Sequence, residues 1–282
     1  MTVRCPAKIN LDLRVGPLRP DGFHSIRSWF VTVGLFDELT IEAADDLRLT
    51  CDDPAIPNDD RNLVLRAAHA LRPPGGPGAA MRLAKRIPAG GGLGGGSSNA
   101  AAALIVLNDF WQLGLSRARL HAIAATLGSD VPFFLHGPSS LCEGRGERVT
   151  PVSLPACRQA VLILPKIALS TPAVFRTLDE LRPNAPEPAA GPAPAATDAR
   201  SLLDAIVNDL EPPAFALRPD LADLAAAAAR LVGRPVRMSG SGSTLFTLFD
   251  GQTTEAGRAV LDVGTKLRVR TASVSICPGI DE

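Results

Sequence analysis

A glycine-rich segment, set between a strand-like run and a helix-like run, constrains the fold of this chain more than any other feature. It reads Pro-Ala-Gly-Gly-Gly-Leu-Gly-Gly-Gly-Ser-Ser-Asn and spans residues 88–99. Glycine adopts positive φ angles, so successive backbone N–H groups of such a loop can converge on an anion. Residues 81–87 are typical of a strand, and residues 100–107 are rich in helix formers. This order predicts a phosphate site at a helix N-terminus, where the macrodipole supplies about +0.5 of a charge.

The serines that close the loop add hydroxyl groups at the predicted start of the helix. Ser97 and Ser98 could bind a phosphate oxygen, or a Mg²⁺ ion held mainly by phosphates. A flexible glycine linker is the alternative, but Leu93 interrupts the glycines and regular structure is predicted on both sides. The segment matches neither the Gly-x-x-x-x-Gly-Lys-Ser/Thr loop nor a regular Gly-x-Gly-x-x-Gly fingerprint. Ordinary P-loop NTPase and Rossmann folds are therefore disfavoured.

The charge balance excludes a broad electropositive surface. The chain of 282 residues has 29 Lys plus Arg and 29 Asp plus Glu, so its formal charge is zero. We therefore expect neither nucleic acid nor a membrane as a partner, and a bound anion must be held locally. No apolar run approaches the ~20 residues of a membrane span, and the start lacks a signal-peptide core, so a cytoplasmic location is expected. Five scattered cysteines predict reduced, mostly buried thiols, and the histidine spacing predicts no structural metal.

Predicted strands and helices are mixed along the chain, which indicates the α+β class. Residues 7–15 alternate strictly between apolar and polar, which predicts a half-buried strand. Polar residues at 58–60 precede an apolar stripe over 63–71 and predict a capped helix. The proline-rich segment 182–197 predicts a mobile surface loop. Further strands are predicted at 28–33, 38–43, 160–164, 236–238, 244–249 and 268–276, and further helices at 117–127, 199–208, 217–231 and 255–261.

Three segments together resemble the GHMP kinase superfamily, and the resemblance spans the chain. They are Pro-Ala-Lys-Ile-Asn-Leu at 6–11, the glycine loop at 88–99, and Met-Ser-Gly-Ser-Gly-Ser-Thr-Leu-Phe at 238–246. The segments Pro-Asp-Gly-Phe-His-Ser at 20–25 and Gly-Ser-Asp-Val-Pro-Phe-Phe at 128–134 are similar to one branch of the superfamily. That branch acts on an alcohol that carries a cytidine diphosphate group.

The resemblance implies both a fold and a reaction. The fold is an α+β arrangement with a left-handed βαβ unit, an N-terminal ATP-binding domain over 1–150 and a C-terminal domain over 151–282 on the substrate side. The reaction transfers the γ-phosphate of ATP, with Mg²⁺, to the 2-hydroxyl of a cytidylyl-linked methylerythritol in the non-mevalonate route to isoprenoids. The expected ATP-binding residues are Pro88, Ala89, Gly90, Gly91, Gly92, Leu93, Gly94, Gly95, Gly96, Ser97 and Ser98.

Phosphoryl transfer to an alcohol requires positioning, neutralisation of phosphate charge and an acceptor for the hydroxyl proton. The resemblance implies that Asp130 is the catalytic base and that Lys8 lies beside it. An ammonium there would stabilise both the carboxylate and the developing alkoxide. The alternatives are that Asp130 caps a short helix with Pro132 in its first turn, and that Lys8 is a solvated strand residue. Both residues match family motif positions, which favours the catalytic interpretation.

The remaining substrate-binding residues follow from the same resemblance. Phe23 and His24 would hold the cytosine by stacking and hydrogen bonds, and Phe175 would close the other face. Many relatives have tyrosine where this chain has Phe23, and this chain contains no tyrosine. A phenylalanine ring can still stack on a base. Asn10, Thr171, Gly240 and Gly242 are expected to line the same cleft.

Purely structural roles are the alternatives for these residues as well. His24 could be a hydrogen-bonded turn histidine, Phe175 a core residue, and residues 239–244 an ordinary hairpin loop. For the whole chain, the rivals are a GHMP kinase acting on homoserine, mevalonate or a sugar, and a nucleotide-binding relative without activity. Phe23 and His24 argue against the first rival, and the pair Lys8 and Asp130 argues against the second. The sequence sets neither the oligomeric state nor the exact Mg²⁺ ligands.

Overall fold

Strands and helices follow one another along the whole chain in a computed structural model that describes residues 1–183, 185–251 and 254–277. The strands of the described part are β1 (Thr2–Leu18), β2 (His24–Ala44), β3 (Leu47–Cys51), β4 (Gly78–Ala84), β5 (Ser139–Gly144), β6 (Arg148–Pro151), β7 (Gln159–Leu164), β8 (Arg237–Met238), β9 (Leu245–Phe249) and β10 (Arg270–Ser275). The helices of the same part are α1 (Leu63–Leu71), α2 (Gly95–Phe110), α3 (Arg117–Leu127), α4 (Phe133–His136), α5 (Thr171–Leu181), α6 (Ala199–Ala205), α7 (Glu211–Leu217), α8 (Pro219–Val232) and α9 (Thr254–Lys266). The predicted α+β class is confirmed.

The first sheet is built around β2, the longest strand among the described residues. β1 pairs antiparallel along one edge of β2, whereas β5 and then β4 pair antiparallel along the other edge. β3 is parallel to β4, with α1 between them in sequence, so β3, α1 and β4 form a βαβ unit. The sequence predicted two strands at 28–33 and 38–43, but β2 runs through both. Its pairing with β1 continues past bulges, which keep the ladder intact across the join.

The first strand is buried on both faces, so the prediction of a half-buried strand is wrong. Ala7, Ile9 and Leu11 pack in the core between the two sheets. On the opposite face Lys8 and Asn10 are each only 3% exposed. The alternating apolar and polar residues of β1 therefore face an apolar core on one side and a buried polar site on the other, and neither side faces solvent.

The second sheet has the order β10-β7-β9-β8, with antiparallel neighbours. Leu162 and Phe246 face the first sheet, while Ile163 and Leu245 belong to a core shared with residues of α5, α7 and α8. Packing of the two sheets against each other brings β1 beside the hairpin between β8 and β9. This arrangement places elements from both ends of the chain at one cleft.

Helix α2 begins at the glycine loop and packs with α1 against the first sheet. It starts at Gly95, two residues before the predicted Ser97, because Gly94 takes the left-handed N-cap conformation at φ 67°. The cap of α1 is Asn62, whose side chain accepts a hydrogen bond from the Val64 N–H, rather than a residue of 58–60. The helix predicted at 117–127 has those bounds, and the other predicted helices and strands are present with shifted ends. By contrast, β3, β5, β6, α4, α5 and α7 were not predicted.

The proline-rich segment lies across the first sheet. Residues 185–196 have no helix or strand, as predicted, and Asn184 lies outside the described residues. Arg27 donates hydrogen bonds to the carbonyls of Gly191 and Pro192, and Ser25 donates to Glu187 Oε1 at 3.1 Å. The segment therefore lies against β2 near Ser25 and Arg27. The described helices include none long and apolar enough to span a membrane.

Candidate active site

The glycine loop forms a wall between two neighbouring cavities, each of about 310 Å³. Gly90, Gly92 and Gly94 line both of them. One cavity contains the loop itself together with residues of α1 and β4, and we call it the loop cavity. The other contains Lys8, Asp130 and residues of the second sheet's hairpin, and we call it the acceptor cavity.

The loop cavity is lined by almost the whole glycine segment. All residues from Pro88 to Ser97 line it, and Ser98 does not. Ser98 is 1% exposed, and its Oγ has no hydrogen-bond partner among the described residues. The rest of the lining comes from Ile56, Asn62, Leu63, Leu83, Lys85 and Asn99.

The glycine loop is fixed by contacts to both β1 and the β8–β9 hairpin. Lys8 N–H donates to the Leu93 carbonyl at 2.9 Å, and Ser239 Oγ donates to the Gly92 carbonyl at 3.0 Å. Gly92 has φ 76°, and a Cβ on it would overlap the Ser239 carbonyl. A side chain at this position would therefore separate the two glycine turns.

Lys8 and Asp130 meet at the acceptor cavity. Lys8 Nζ lies 3.4 Å from Asp130 Oδ2, and the Lys8 side chain is 4% exposed against 30% for Asp130. Lys8 Nζ also donates to Asn10 Oδ1 at 2.6 Å and lies 4.6 Å from the centre of the Phe30 ring. The ammonium is thus held by three groups, and the carboxylate remains open to the cavity. A hydroxyl placed there would find a proton acceptor beside a fixed cation.

The alternative interpretations of Lys8 and Asp130, a solvated strand residue and a helix cap, do not match the geometry. Lys8 is not solvated, because it is buried on the cleft side of β1. Asp130 does not cap α4, whose N-cap is Pro132 with no side-chain capping bond, so Pro132 precedes the first turn instead of lying in it. Below the pair, burial raises the pKa of the Cys142 thiol and the charge of Asp130 adds to this, so the thiol stays neutral.

The network around Asn10 continues into β2. Asn10 Nδ2 donates to Ser28 Oγ at 2.9 Å, and Ser28 Oγ donates to the Asp12 carbonyl at 2.6 Å. Asn10 N–H donates to Ser239 Oγ at 3.2 Å, which links the network to the second glycine turn. The amide that orients Lys8 is therefore itself held from two sides.

The structure places Phe23, His24 and Phe175 in the lining of the acceptor cavity. Phe175 stacks on the His24 ring, with centroids 5.1 Å apart and planes at 27°. His24 Nδ1 lies 3.0 Å from the Gly16 carbonyl, and Nε2 lies 3.5 Å from Asp179 Oδ2. Phe23 is 46% exposed at the rim, free to meet a ligand ring.

The turn before Phe23 is fixed by hydrogen bonds. The Phe23 N–H donates to Asp21 Oδ1 at 3.2 Å, and Arg19 Nη2 donates to Asp21 Oδ2 at 2.9 Å. These bonds, the first of them above all, lower the pKa of Asp21. An ionised Asp21 therefore holds the turn that presents Phe23.

Two of the three remaining predicted residues line the acceptor cavity and one does not. Thr171, at the start of α5, lines it and shares a hydrogen bond with Ser241 at 2.7 Å. Gly240 lines it with φ 56° and approaches Asn10. Gly242 lies outside the lining, and its Cβ position faces Met238 and Leu169. Its positive φ of 86° serves the hairpin turn.

Several residues that line the two cavities were not predicted from the sequence. Arg145 lines the acceptor cavity with its guanidinium 5.1 Å from the Phe23 ring centre, and Lys85 and Asn62 line the loop cavity. Arg145 follows β5 in a glycine-flanked turn, which signals a turn and not a site. Only the pairing of β5 with β2 brings that turn beside Phe23.

The residues present are compatible with Mg²⁺ bound mainly through phosphates. The described residues contain no group of three or more His, Cys, Asp and Glu side chains that could hold a metal by themselves. The unpartnered Ser98 hydroxyl and the Ser97 hydroxyl at the loop cavity are oxygen donors of the kind that Mg²⁺ accepts.

Comparisons with known proteins agree with this geometry. The family profile described as GHMP kinases N terminal domain matches residues 62–138, and the one described as GHMP kinases C terminal matches residues 193–265. A protein of Streptomyces coelicolor named 4-diphosphocytidyl-2-C-methyl-D-erythritol kinase is 43% identical, with 96% of each chain covered. A protein of the same name from Mycolicibacterium smegmatis is 41% identical, with 95% of this chain and 85% of that protein covered.

Solved structures show the same similarity. A crystal structure of 4-(cytidine 5'-diphospho)-2C-methyl-D-erythritol kinase matches with a TM-score of 0.80 and 35% identity, covering 99% of this chain and 100% of that chain. A homoserine kinase from Cytophaga hutchinsonii matches with a TM-score of 0.70 and 20% identity, covering 98% and 94%. The second similarity is one of fold alone.

Proposed function

The chain belongs to the GHMP kinase family, and from this premise we propose that it transfers the γ-phosphate of ATP to the 2-hydroxyl of 4-diphosphocytidyl-2-C-methyl-D-erythritol. Relatives of that name match nearly the full length of the chain. The reaction belongs to the non-mevalonate route to isoprenoid precursors. The division into an N-terminal domain over 1–150 and a C-terminal domain over 151–282 is part of this proposal, and the change of sheet after Pro151 supports it.

One observation carries the proposal: the glycine loop is shared by two cavities, and the pair Lys8 and Asp130 lies in only one of them. ATP in the loop cavity would direct its phosphates to the N-terminus of α2, where backbone N–H groups and the helix dipole favour negative charge. An alcohol in the other cavity would approach the same loop from the opposite side. The two substrates would then meet where both cavities reach Gly90, Gly92 and Gly94, so that the hydroxyl contacts the γ-phosphate directly.

Asp130 accepts the proton of the acceptor hydroxyl in this proposal. Its carboxylate is the exposed member of the ion pair, so it can reach a ligand while Lys8 stays fixed against Asn10 and Phe30. Lys8 stabilises the negative charge that develops on the attacking oxygen. Because the contacts of Lys8 exist before substrate binds, little reorganisation is needed at the moment of transfer.

The cytidine end would lie at the rim formed by Phe23, His24 and Phe175. Phe23 offers an exposed ring for stacking, and Arg145 offers a cation beside it. His24 can hydrogen-bond the base only through the nitrogen that now faces Asp179. Asn10, Thr171 and Gly240 line the path between the rim and Asp130.

Mg²⁺ belongs to the proposal as a companion of ATP. When bound, it would neutralise charge on the phosphate oxygens. Ser97 and Ser98 are the residues of this chain that would contact it or the phosphates it bridges. The expected absence of an all-protein metal site remains a prediction.

The deciding experiment offers purified protein ATP and Mg²⁺ with one acceptor at a time: the cytidylyl methylerythritol, homoserine, mevalonate or galactose. We expect ADP release and a phosphorylated product with the cytidylyl acceptor alone. Turnover on another acceptor in its place would leave the family intact and overturn the substrate. ATP binding without turnover on any acceptor would favour a nucleotide-binding relative without activity.

A further inference from the structure

A carboxylate that belongs to neither cavity joins both ends of the glycine loop. Asp37 lies near the middle of β2 and is completely buried, and it is absent from the linings of the loop and acceptor cavities. Its two oxygens accept hydrogen bonds from four donors, which is unusually many for a residue outside the site. A buried carboxylate needs such partners to compensate for its lost hydration.

The first pair of donors lies just before the loop. Asp37 Oδ1 accepts the N–H of Arg86 at 2.7 Å and the N–H of Ile87 at 2.9 Å. These two residues follow β4 and directly precede Pro88, the first residue of the loop. The backbone therefore leaves β4 in a direction that Asp37 sets.

The second pair of donors connects to the far end of the loop. Asp37 Oδ2 accepts from Asn99 Nδ2 at 3.0 Å and from Lys85 Nζ, and Lys85 Nζ also donates to Asn99 Oδ1 at 3.4 Å. Asn99 directly follows Ser98 in α2, and both Asn99 and Lys85 line the loop cavity. One side chain thus holds the chain before and after the glycine segment.

We propose that Asp37 is a positioning residue for nucleotide binding, which acts by holding the two ends of the glycine loop at a fixed separation. The glycines are flexible by themselves, and N–H groups bind a phosphate well only when they converge on it before it arrives. Because β2 is anchored by β1 and β4, Asp37 transmits the rigidity of the sheet to the loop. Loss of this link should weaken ATP binding and leave the acceptor cavity intact.

The test measures binding of a non-hydrolysable ATP analogue by calorimetry, with no acceptor present. Asp37→Asn keeps the shape but turns an N–H₂ donor toward the donors of Lys85 and Asn99, and we expect roughly tenfold to hundredfold weaker binding. Asn99→Ala breaks only the link to α2 and should weaken binding less. The double variant should bind no more weakly than Asp37→Asn alone, because both changes break the same connection.

Asn108→Ala is the matched control. Asn108 lies at the other end of α2, where its side chain hydrogen-bonds the backbone of Leu115, so its loss perturbs the same helix away from the loop. We expect binding within twofold of the parent chain. If Asp37→Asn does not fold, Asn99→Ala against Asn108→Ala decides the question. Equal effects of those two, or independent and multiplying effects in the double variant, would overturn the inference.

This inference rests on the nucleotide half of the proposed function, and the two can fail separately. Failure of the parent chain to bind the analogue would contradict the proposed function. Parent binding with unchanged binding in Asp37→Asn would overturn the positioning role alone. In steady-state assays, Asp37→Asn should raise KM for ATP and leave KM for the acceptor within about twofold of the parent value. General destabilisation of the fold would not change one KM and spare the other.

Discussion

At the scale of single residues, the pair Lys8 and Asp130 is the most informative contact of the site. The proposal assigns proton acceptance to Asp130, so Asp130→Asn should lower kcat by about 10²–10⁴-fold while affinity for ATP changes little. The reason is that Asp130 lines the acceptor cavity and not the loop cavity. Single-turnover kinetics with calorimetry of the ATP analogue would measure both quantities. A kcat within threefold of the parent value would remove Asp130 from the base role.

The motif residues could be named from the sequence, but their environments could not. Lys8 was recognisable by its place in the Pro-Ala-Lys-Ile-Asn-Leu segment, yet alternation predicted an exposed side chain. Lys8 is buried because Asn10, Phe30 and Asp130 surround its ammonium on the cleft side of β1. Likewise, the stacking of Phe175 on His24 could not be read from the sequence. Side-chain pairing depends on neighbours that are distant in sequence.

At the scale of elements, the two glycine turns behave as a single unit. Gly92→Ala should destabilise the fold more than Gly90→Ala, although both positions have positive φ. The backbone penalty alone is about 1–2 kcal/mol for each. A Cβ at Gly90 meets nothing within 4 Å, whereas one at Gly92 overlaps the Ser239 carbonyl, which adds ~1–3 kcal/mol.

Urea unfolding of the two variants would check this difference in the free energy of unfolding. The Gly92 variant should also lose kcat, because its displacement of Ser239 disturbs Asn10 and, through it, Lys8. Equal destabilisation by the two substitutions would show that the turns are not in contact in solution.

Most elements with long, regular patterns were predictable, and most of the elements that were missed are short, although α5 with its 11 residues was missed as well. The apolar stripe and helix formers placed α1, α2 and α3, whereas α4 is a single turn of four residues. The strands β5 and β6 are short and follow a loop, so their sequence carries little periodicity. β5 pairs with the edge of β2 that β1 leaves free. This pairing of β5 with β2 places Arg145 at the site.

At the scale of the whole molecule, one histidine contact predicts a dependence of stability on pH. His136 of α4 lies 2.8 Å from His121 of α3, and burial, followed by the charges of His121 and Arg117, lowers its pKa below 6.5. The unfolded chain therefore takes up a proton near pH 6.5 that the folded chain binds only at lower pH. The contribution of His136 to the free energy of unfolding is therefore fully present above pH 6.5 and is lost as the pH falls below it.

His136→Gln should flatten the decline of Tm between pH 7 and pH 5, as measured by scanning calorimetry at several pH values. His69→Gln is the control, since the His69 side chain is 54% exposed on α1. The control should keep the slope of the parent chain. If Tm of His136→Gln falls between pH 7 and pH 5 as steeply as Tm of the parent chain, other groups cause the decline.

The glycine loop, its place between a strand and a helix, the α+β class and the family could all be predicted from the sequence. Each of these depends on short segments, and within each segment the residues that form the pattern are near one another in the chain. Three contacts are visible only in the folded chain: Lys8 is buried against Asp130, the two glycine turns touch, and Asp37 accepts hydrogen bonds from both ends of the loop. These contacts join residues distant in sequence. Those of Lys8 and Asp37 form within the first sheet and the elements packed on it, whereas the glycine turns touch where the two sheets pack face to face.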